Sequence, residues 1–175
     1  MPDDSLVITS ADIANSRRYL TAAIRVRSMK DTVDPGGVRR FQFWYQSNPE
    51  TRWLLEARVA GGKTEAVTLW TATAPDGTGT FSLHRVGSGT AVIDRDELRI
   101  SVLMSVASLH AGKRPATRLT DLEARVERMV GVSRDSVPAV VPYTAVAPPF
   151  AEYSVHGGDN VAYVLNTPSC VAVGR

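Results

Sequence analysis

The sequence predicts an all-β fold, an antiparallel sandwich of two sheets, and three observations carry that expectation. Apolar side chains recur with a period of two in segment after segment, the pattern of a pleated strand with one buried face. Turn-forming clusters of Pro, Gly, Asn and Asp interrupt those segments at short intervals, and β-branched and aromatic residues fill the stretches between them. Packing two such sheets together lets each strand bury its oily side while its charged side stays wet.

The elements follow in order. Leu6–Ile13 is rich in strand formers, Asn15-Ser16 offers a turn, and Leu20, Ala22, Ile24 and Val26 then share one face against Thr21, Ala23, Arg25 and Arg27. Asp31 to Gly37 reads as a loop, because proline presets one turn torsion and the glycines permit positive φ. In the next segment Phe41, Phe43 and Tyr45 form the buried face, opposite Arg40, Gln42 and Trp44. After the turn at Ser47-Asn48-Pro49-Glu50, Trp53, Leu55, Ala57 and Val59 face inward, and Arg52, Leu54, Glu56 and Arg58 face the other way. Gly61-Gly62 leads into Ala66–Thr71. Pro75 to Gly79 is a further turn before a strand over Thr80–Val86, which Gly87-Ser88-Gly89 breaks. Thr90–Ile93 and Leu98–Met104 read as a hairpin around the polar turn Asp94-Arg95-Asp96-Glu97.

Thr117–Val130 admits two readings. Thr120-Asp121-Leu122-Glu123 fits a helix capping box with Leu122, Val126, Met129 and Val130 on one stripe, yet Leu122, Ala124 and Val126 also alternate with Glu123, Arg125 and Glu127. Strand is preferred and helix stays open. Residues 1–135 are expected to form the sandwich core, and 136–175 an extended segment and final strand on the same domain. That proline-rich C-terminal extension contains Pro138, Pro142, Pro148 and Pro149, which remove amide donors and rule out long central strands, while Asn160–Leu165 returns to the sheet.

A chain of 175 residues with 43% apolar residues has the size and composition of one domain with one real core. The formal charge of +2, from 20 basic and 18 acidic side chains, and the short arginine pairs Arg17-Arg18 and Arg39-Arg40 lack the clustering that a nucleic-acid reader needs. Cys170 stands alone, so neither an intrachain disulfide nor a cysteine-built zinc site is available. The acidic start Met1-Pro2-Asp3-Asp4 shows no signal peptide, although a mature chain cut from a longer precursor fits the same residues. No apolar stretch approaches transmembrane length.

Catalytic signatures are absent. There is no Gly-x-Ser-x-Gly elbow, no Gly-x-Gly-x-x-Gly fingerprint and no phosphate loop. His84, His110 and His156 are too dispersed for a local metal motif, and Asp94, Asp96 and Glu97 lack calcium-loop spacing and read as a charged turn. Neither a metal site nor a cofactor is expected. In His156-Gly157-Gly158-Asp159-Asn160, glycines let backbone amides approach a ligand while His156 and Asp159 offer a donor and an acceptor; a tight turn before the last strand is the plainer reading. Trp44 has the opposite parity to Phe43 and Tyr45, which makes it the candidate for an exposed aromatic platform, with Arg40 and Gln42 beside it as polar donors. For Trp53, core is the default.

Asp12-Ile13-Ala14-Asn15 followed by Leu20–Val26, and later Ala91–Val102, resembles small extracellular bacterial sandwiches of the DOMON-like kind. That resemblance implies a jelly-roll-like sandwich and secretion or a cell-surface location, and such domains include haem or sugar binders as well as members with no known ligand; Met29, Met104 and His110 sit in no haem-ligating motif that transfers. A cytoplasmic location stays open. The preferred function is a non-catalytic recognition or accessory module binding a glycan or a protein, with Arg40, Gln42, Trp44, His156 and Asp159 as candidate contacts. Two alternatives stand beside it: a hydrolytic enzyme whose histidine and carboxylates converge from distant strands, and a structural subunit of a homo-oligomeric assembly.

Overall fold

The computed structural model describes residues 4–30, 37–73, 82–109, 118–129, 154–156, 163–165 and 171–173. They form an all-β sandwich of two antiparallel sheets. After a single 3-10 turn at Asp4–Leu6, the strands are β1 (Ile8–Asn15), β2 (Tyr19–Val26), β3 (Val38–Asn48), β4 (Thr51–Ala60), β5 (Lys63–Thr73), β6 (Ser82–Ser88), β7 (Thr90–Asp94), β8 (Glu97–Leu103), β9 (Arg118–Met129), β10 (Ser154–His156), β11 (Tyr163–Val164) and β12 (Val171–Val173). The smaller sheet runs β12-β1-β2-β8-β7; the larger runs β10-β9-β3-β4-β5-β6, with β11 also paired to β9. Pro138, Pro142, Pro148, Pro149, Phe81, His110, Asp159 and Cys170 lie outside the described residues, so the expected proline-rich extension does too.

Period-two patterning decides which face each strand buries. Leu20, Ala22, Ile24 and Val26 of β2, Leu98, Ile100 and Val102 of β8, Phe41, Phe43 and Tyr45 of β3, and Trp53, Leu55, Ala57 and Val59 of β4 all meet in one core. Burying each such large side chain is worth about 1.5–3 kcal/mol against leaving it in water. Tyr45 and Trp53, opposite each other in the β3–β4 ladder, stack with ring planes 4° apart and centroids at 6.2 Å.

The turns are made by the residues that their geometry demands. Asn48 Oδ1 accepts from the backbone amides of Glu50 (3.0 Å) and Thr51 (2.9 Å), closing β3 onto β4. Gly61 and Gly62 have φ of 54° and 73°, the pair of positive torsions that matches strand twist in a two-residue hairpin. Gly89 carries the chain from the larger sheet to the smaller, and a Cβ there would lie 2.2 Å from the carbonyl oxygen of Ser101.

The region 118–129 is a strand, the reading its alternation favoured over a helix, and it contains one irregularity. Trp44 pairs with Glu123 but Gln46 pairs with Thr120, so three steps on β9 match two on β3. Asp121, with φ of 50°, marks this bulge. Because of it Leu119 and Leu122 both reach the core although they are three residues apart, a helix-like spacing produced by a kinked strand. The C-terminal strands join both sheets: β10 and β11 pair with β9, and β12 pairs with β1. Tyr163 anchors that return. Its hydroxyl donates to Asn15 Oδ1 (2.7 Å) and accepts from the Asn15 amide (3.0 Å).

Candidate functional site

The outer face of the larger sheet is the most unusual surface of the molecule. Sheet registers line up β9, β3, β4, β5 and β6 in rows: Glu123, Trp44, Leu54, Trp70 and Arg85 form one, and Arg125, Gln42, Glu56, Thr68 and Ser88 the next. Beyond these, Glu127, Arg40 and Arg58 line up on one side, and Gln46, Arg52, Ala72 and Leu83 on the other. Solvated sheet faces usually carry scattered charges. This one packs a second apolar cluster of Trp44, Leu54 and Ala72, with Trp70 and Leu83 against it, beside a lattice of ion pairs.

Glu56 is the centre of that lattice. Arg40 Nε donates to Glu56 Oε2 at 2.8 Å and its Nη2 reaches the same oxygen, while Arg58 Nε approaches Oε1 at 3.4 Å. Gln42 Nε2 touches Glu56 Oε2 at 3.5 Å, and Trp44 Nε1–H donates to Gln42 Oε1 at 3.4 Å. Glu123 repeats the arrangement: Arg52 Nη2 lies 2.8 Å from Oε2 and Arg125 Nε bonds Oε1. Arg52 Nε also pairs with Asp121 at 3.1 Å, and its guanidinium carbon stands 4.9 Å from the Trp44 ring centre. Glu56 and Glu123 are only 2% and 1% exposed, which an ionised carboxylate tolerates only with such charge-assisted partners.

Three of the five residues singled out from sequence, Arg40, Gln42 and Trp44, therefore share one face and one hydrogen-bonded network. The expectation of an exposed Trp44 is corrected: its parity is outward, but only 7% of it is accessible because Arg52 covers the ring and Leu54 and Ala72 flank it. Trp70, half-buried two positions along the row on the far side of β4, is the more accessible indole, and its buried Nε1 has no hydrogen-bond partner among the described residues. His156 holds the β10 register position opposite Glu123, at the margin of the same face. It is on the opposite sheet from Asp94 and Asp96, which belong to the β7–β8 turn.

That turn is structural. Asp96 accepts from the backbone amide of Met29 through Oδ1 (2.8 Å) and from that of Val26 through its carbonyl (2.9 Å), tying the hairpin to the end of β2. Glu97 bonds Arg25 and Arg99, each at 2.6 Å, and the six residues Arg25, Asp94, Arg95, Asp96, Glu97 and Arg99 line an open depression of about 550 Å³. Among the described residues no group of three His, Cys, Asp or Glu side chains is placed to hold a metal ion, and no helix is long and apolar enough to cross a membrane.

No family model, curated protein or solved structure matches this chain. The site must be read from its own chemistry. Glu123, Glu127, Arg52, Arg58 and Arg125 were missed as site residues, although the signal was present: each belongs to a run in which charge alternates with apolar residues. What the runs could not show is that β9 lies beside β3.

Proposed function

We propose that the protein is a non-catalytic recognition module that binds a glycan on the outer face of its larger sheet. The observation that carries this reading is the half-buried Trp70 indole on the same face as the partly exposed guanidinium groups of Arg58 and Arg125, which the buried network of Arg40, Gln42, Glu56 and Trp44 underlies. Sugar rings combine an apolar face with a rim of hydroxyls. They are recognised by aromatic rings set beside fixed planar donors and acceptors. Here the polar groups hold one another in place before any ligand arrives, so little ordering entropy is lost on binding. The resemblance to DOMON-like jelly-roll domains, which include sugar binders, points the same way and brings with it a cell-surface or secreted location.

A screen of the purified chain against immobilised glycans tests this. Retention on at least one glycan class is expected, weakened about tenfold, or about 1.4 kcal/mol, by Trp70→Ala with the far-UV circular dichroism unchanged. No retention on any glycan, or retention indifferent to Trp70→Ala, overturns the reading.

A further inference from the structure

The geometry points to an acidic glycan, a polysaccharide bearing carboxylate or sulfate groups, as the ligand of this face, an inference that rests on the glycan-binding reading above. Its basis is the layering of charge. The face carries Arg40, Arg52, Arg58, Arg85 and Arg125 against Glu56, Glu123, Glu127 and Asp121, which nearly cancel in sum. They do not cancel in depth. All three glutamates are buried, whereas the side chains of Arg58 and Arg125 are 26% and 33% exposed and Arg85 is exposed outright. A ligand arriving from solvent therefore meets the guanidinium groups of Arg58, Arg125 and Arg85, with the three glutamates beneath them and Asp121, 48% exposed, as the carboxylate of this set that reaches the surface.

The bonding of the arginines sharpens this. Arg58 and Arg125 each spend only Nε on a buried carboxylate, Glu56 and Glu123 respectively, leaving both Nη groups of each without a partner among the described residues. Such a guanidinium is oriented at one end and still has its terminal donors to offer. That is a preorganised fork for a second carboxylate or a sulfate. Arg58 on β4 and Arg125 on β9 are two strands apart, and Arg85 on β6 is two strands further on; they stand in three different rows, with Arg125 in the middle one, so they form a staggered basic patch. A polysaccharide carrying carboxylate or sulfate groups brings paired oxygens for such forks together with the apolar ring faces that suit Trp70.

The variants Arg58→Gln and Arg125→Gln isolate the claim, since Glu56 keeps Arg40 and Glu123 keeps Arg52. With full-length protein, polygalacturonate, its methyl-esterified form, dextran sulfate, neutral dextran and single-stranded DNA serve as probes, each at low and raised salt. Expected is retention on polygalacturonate or dextran sulfate well above their uncharged counterparts, weakened by salt, reduced about fivefold by either variant and further by both, with the far-UV circular dichroism unchanged. Equal retention on the esterified or neutral polymer sinks this inference and leaves the glycan reading standing. Retention on none of the polysaccharides sinks the inference, while the broader glycan screen still judges the parent reading. Equal retention on the DNA, or binding indifferent to both variants, assigns any affinity to unspecific charge and overturns the inference as well.

Discussion

Tyr45 and Tyr163 bring the same hydroxyl into the same core under opposite conditions. Tyr163 both donates to and accepts from Asn15, whereas Tyr45 is fully buried against Trp53 and its hydroxyl has no partner among the described residues. A buried polar atom without a partner bears its desolvation cost uncompensated. Tyr163→Phe should therefore destabilise the fold by about 1–3 kcal/mol, while Tyr45→Phe should be neutral or stabilise it by up to about 1 kcal/mol. For a chain of this size each kcal/mol moves the melting temperature by roughly 2–4 °C, so calorimetry separates the two signs. A pH titration adds a second readout. Burial pushes the Tyr45 hydroxyl well above the ordinary phenol range, so it stays protonated where an unfolded tyrosine, near pKa about 10, ionises. The raised group leaves stability intact below that pH and erodes it as pH climbs above, because only the unfolded chain then releases the proton. Tyr45→Phe should flatten the alkaline limb; an equally steep limb, or a loss of stability at neutral pH, would show that the hydroxyl has a partner.

On the scale of strands, the same glutamate–arginine pairing has two different weights. Glu123 is held between Arg52 and Arg125 and is almost wholly buried, while Glu97 sits between Arg25 and Arg99, whose side chains are half exposed. Glu123→Gln keeps the shape and removes the charge, leaving the two guanidinium groups without their buried counterion. The expected cost is about 1–3 kcal/mol, less than the 3–5 typical of a fully buried pair because both arginines can rehydrate. Glu97→Gln should cost no more than about 1 kcal/mol, as exposed pairs do. Urea midpoints at constant slope measure both, and equal shifts would mean that the outer face of β9 and β3 is as wet as the β7–β8 hairpin. The contrast also marks what was legible beforehand. Phe41, Phe43 and Tyr45, and Trp53 through Val59, gave away their inner faces by parity alone, and the same parity put Arg40, Gln42 and Trp44 together. The alternation of Leu122, Ala124 and Val126 favoured a strand for β9, whereas the bulge at Asp121, which sets Leu119 and Leu122 three residues apart in the core, left no such local signal. The pairing of β9 with β3, which brings Glu123 beside Trp44, is a long-range fact that no local pattern encodes, and with it went the burial of Trp44 beneath Arg52.

Across the whole molecule, the chain passes from the smaller sheet to the larger between β2 and β3, back at Gly89, across again between β8 and β9, and finally returns with β12. Neither sheet is a continuous stretch of sequence. The inner face of the smaller sheet, with Ile13, Leu20, Ile24, Leu98, Ile100 and Val102, belongs to the same core cluster as Phe43, Leu55 and Leu69 of the larger. Separated, each sheet would expose its row of large apolar side chains at about 25 cal/mol for every Å² uncovered, a cost that a domain stable by only some 5–15 kcal/mol does not survive. The sheets must therefore unfold together. Tryptophan fluorescence reports on the larger sheet alone, since Trp44, Trp53 and Trp70 all lie on β3, β4 and β5, whereas far-UV circular dichroism reports on both. The two urea curves should superimpose in a single transition. Leu55→Ala, which opens a cavity where the layers meet, should cost about 2–5 kcal/mol and shift both curves equally. A dichroism change that precedes or trails the fluorescence change would show that the smaller sheet stands or falls by itself, and the shared core would then not be what joins the two layers.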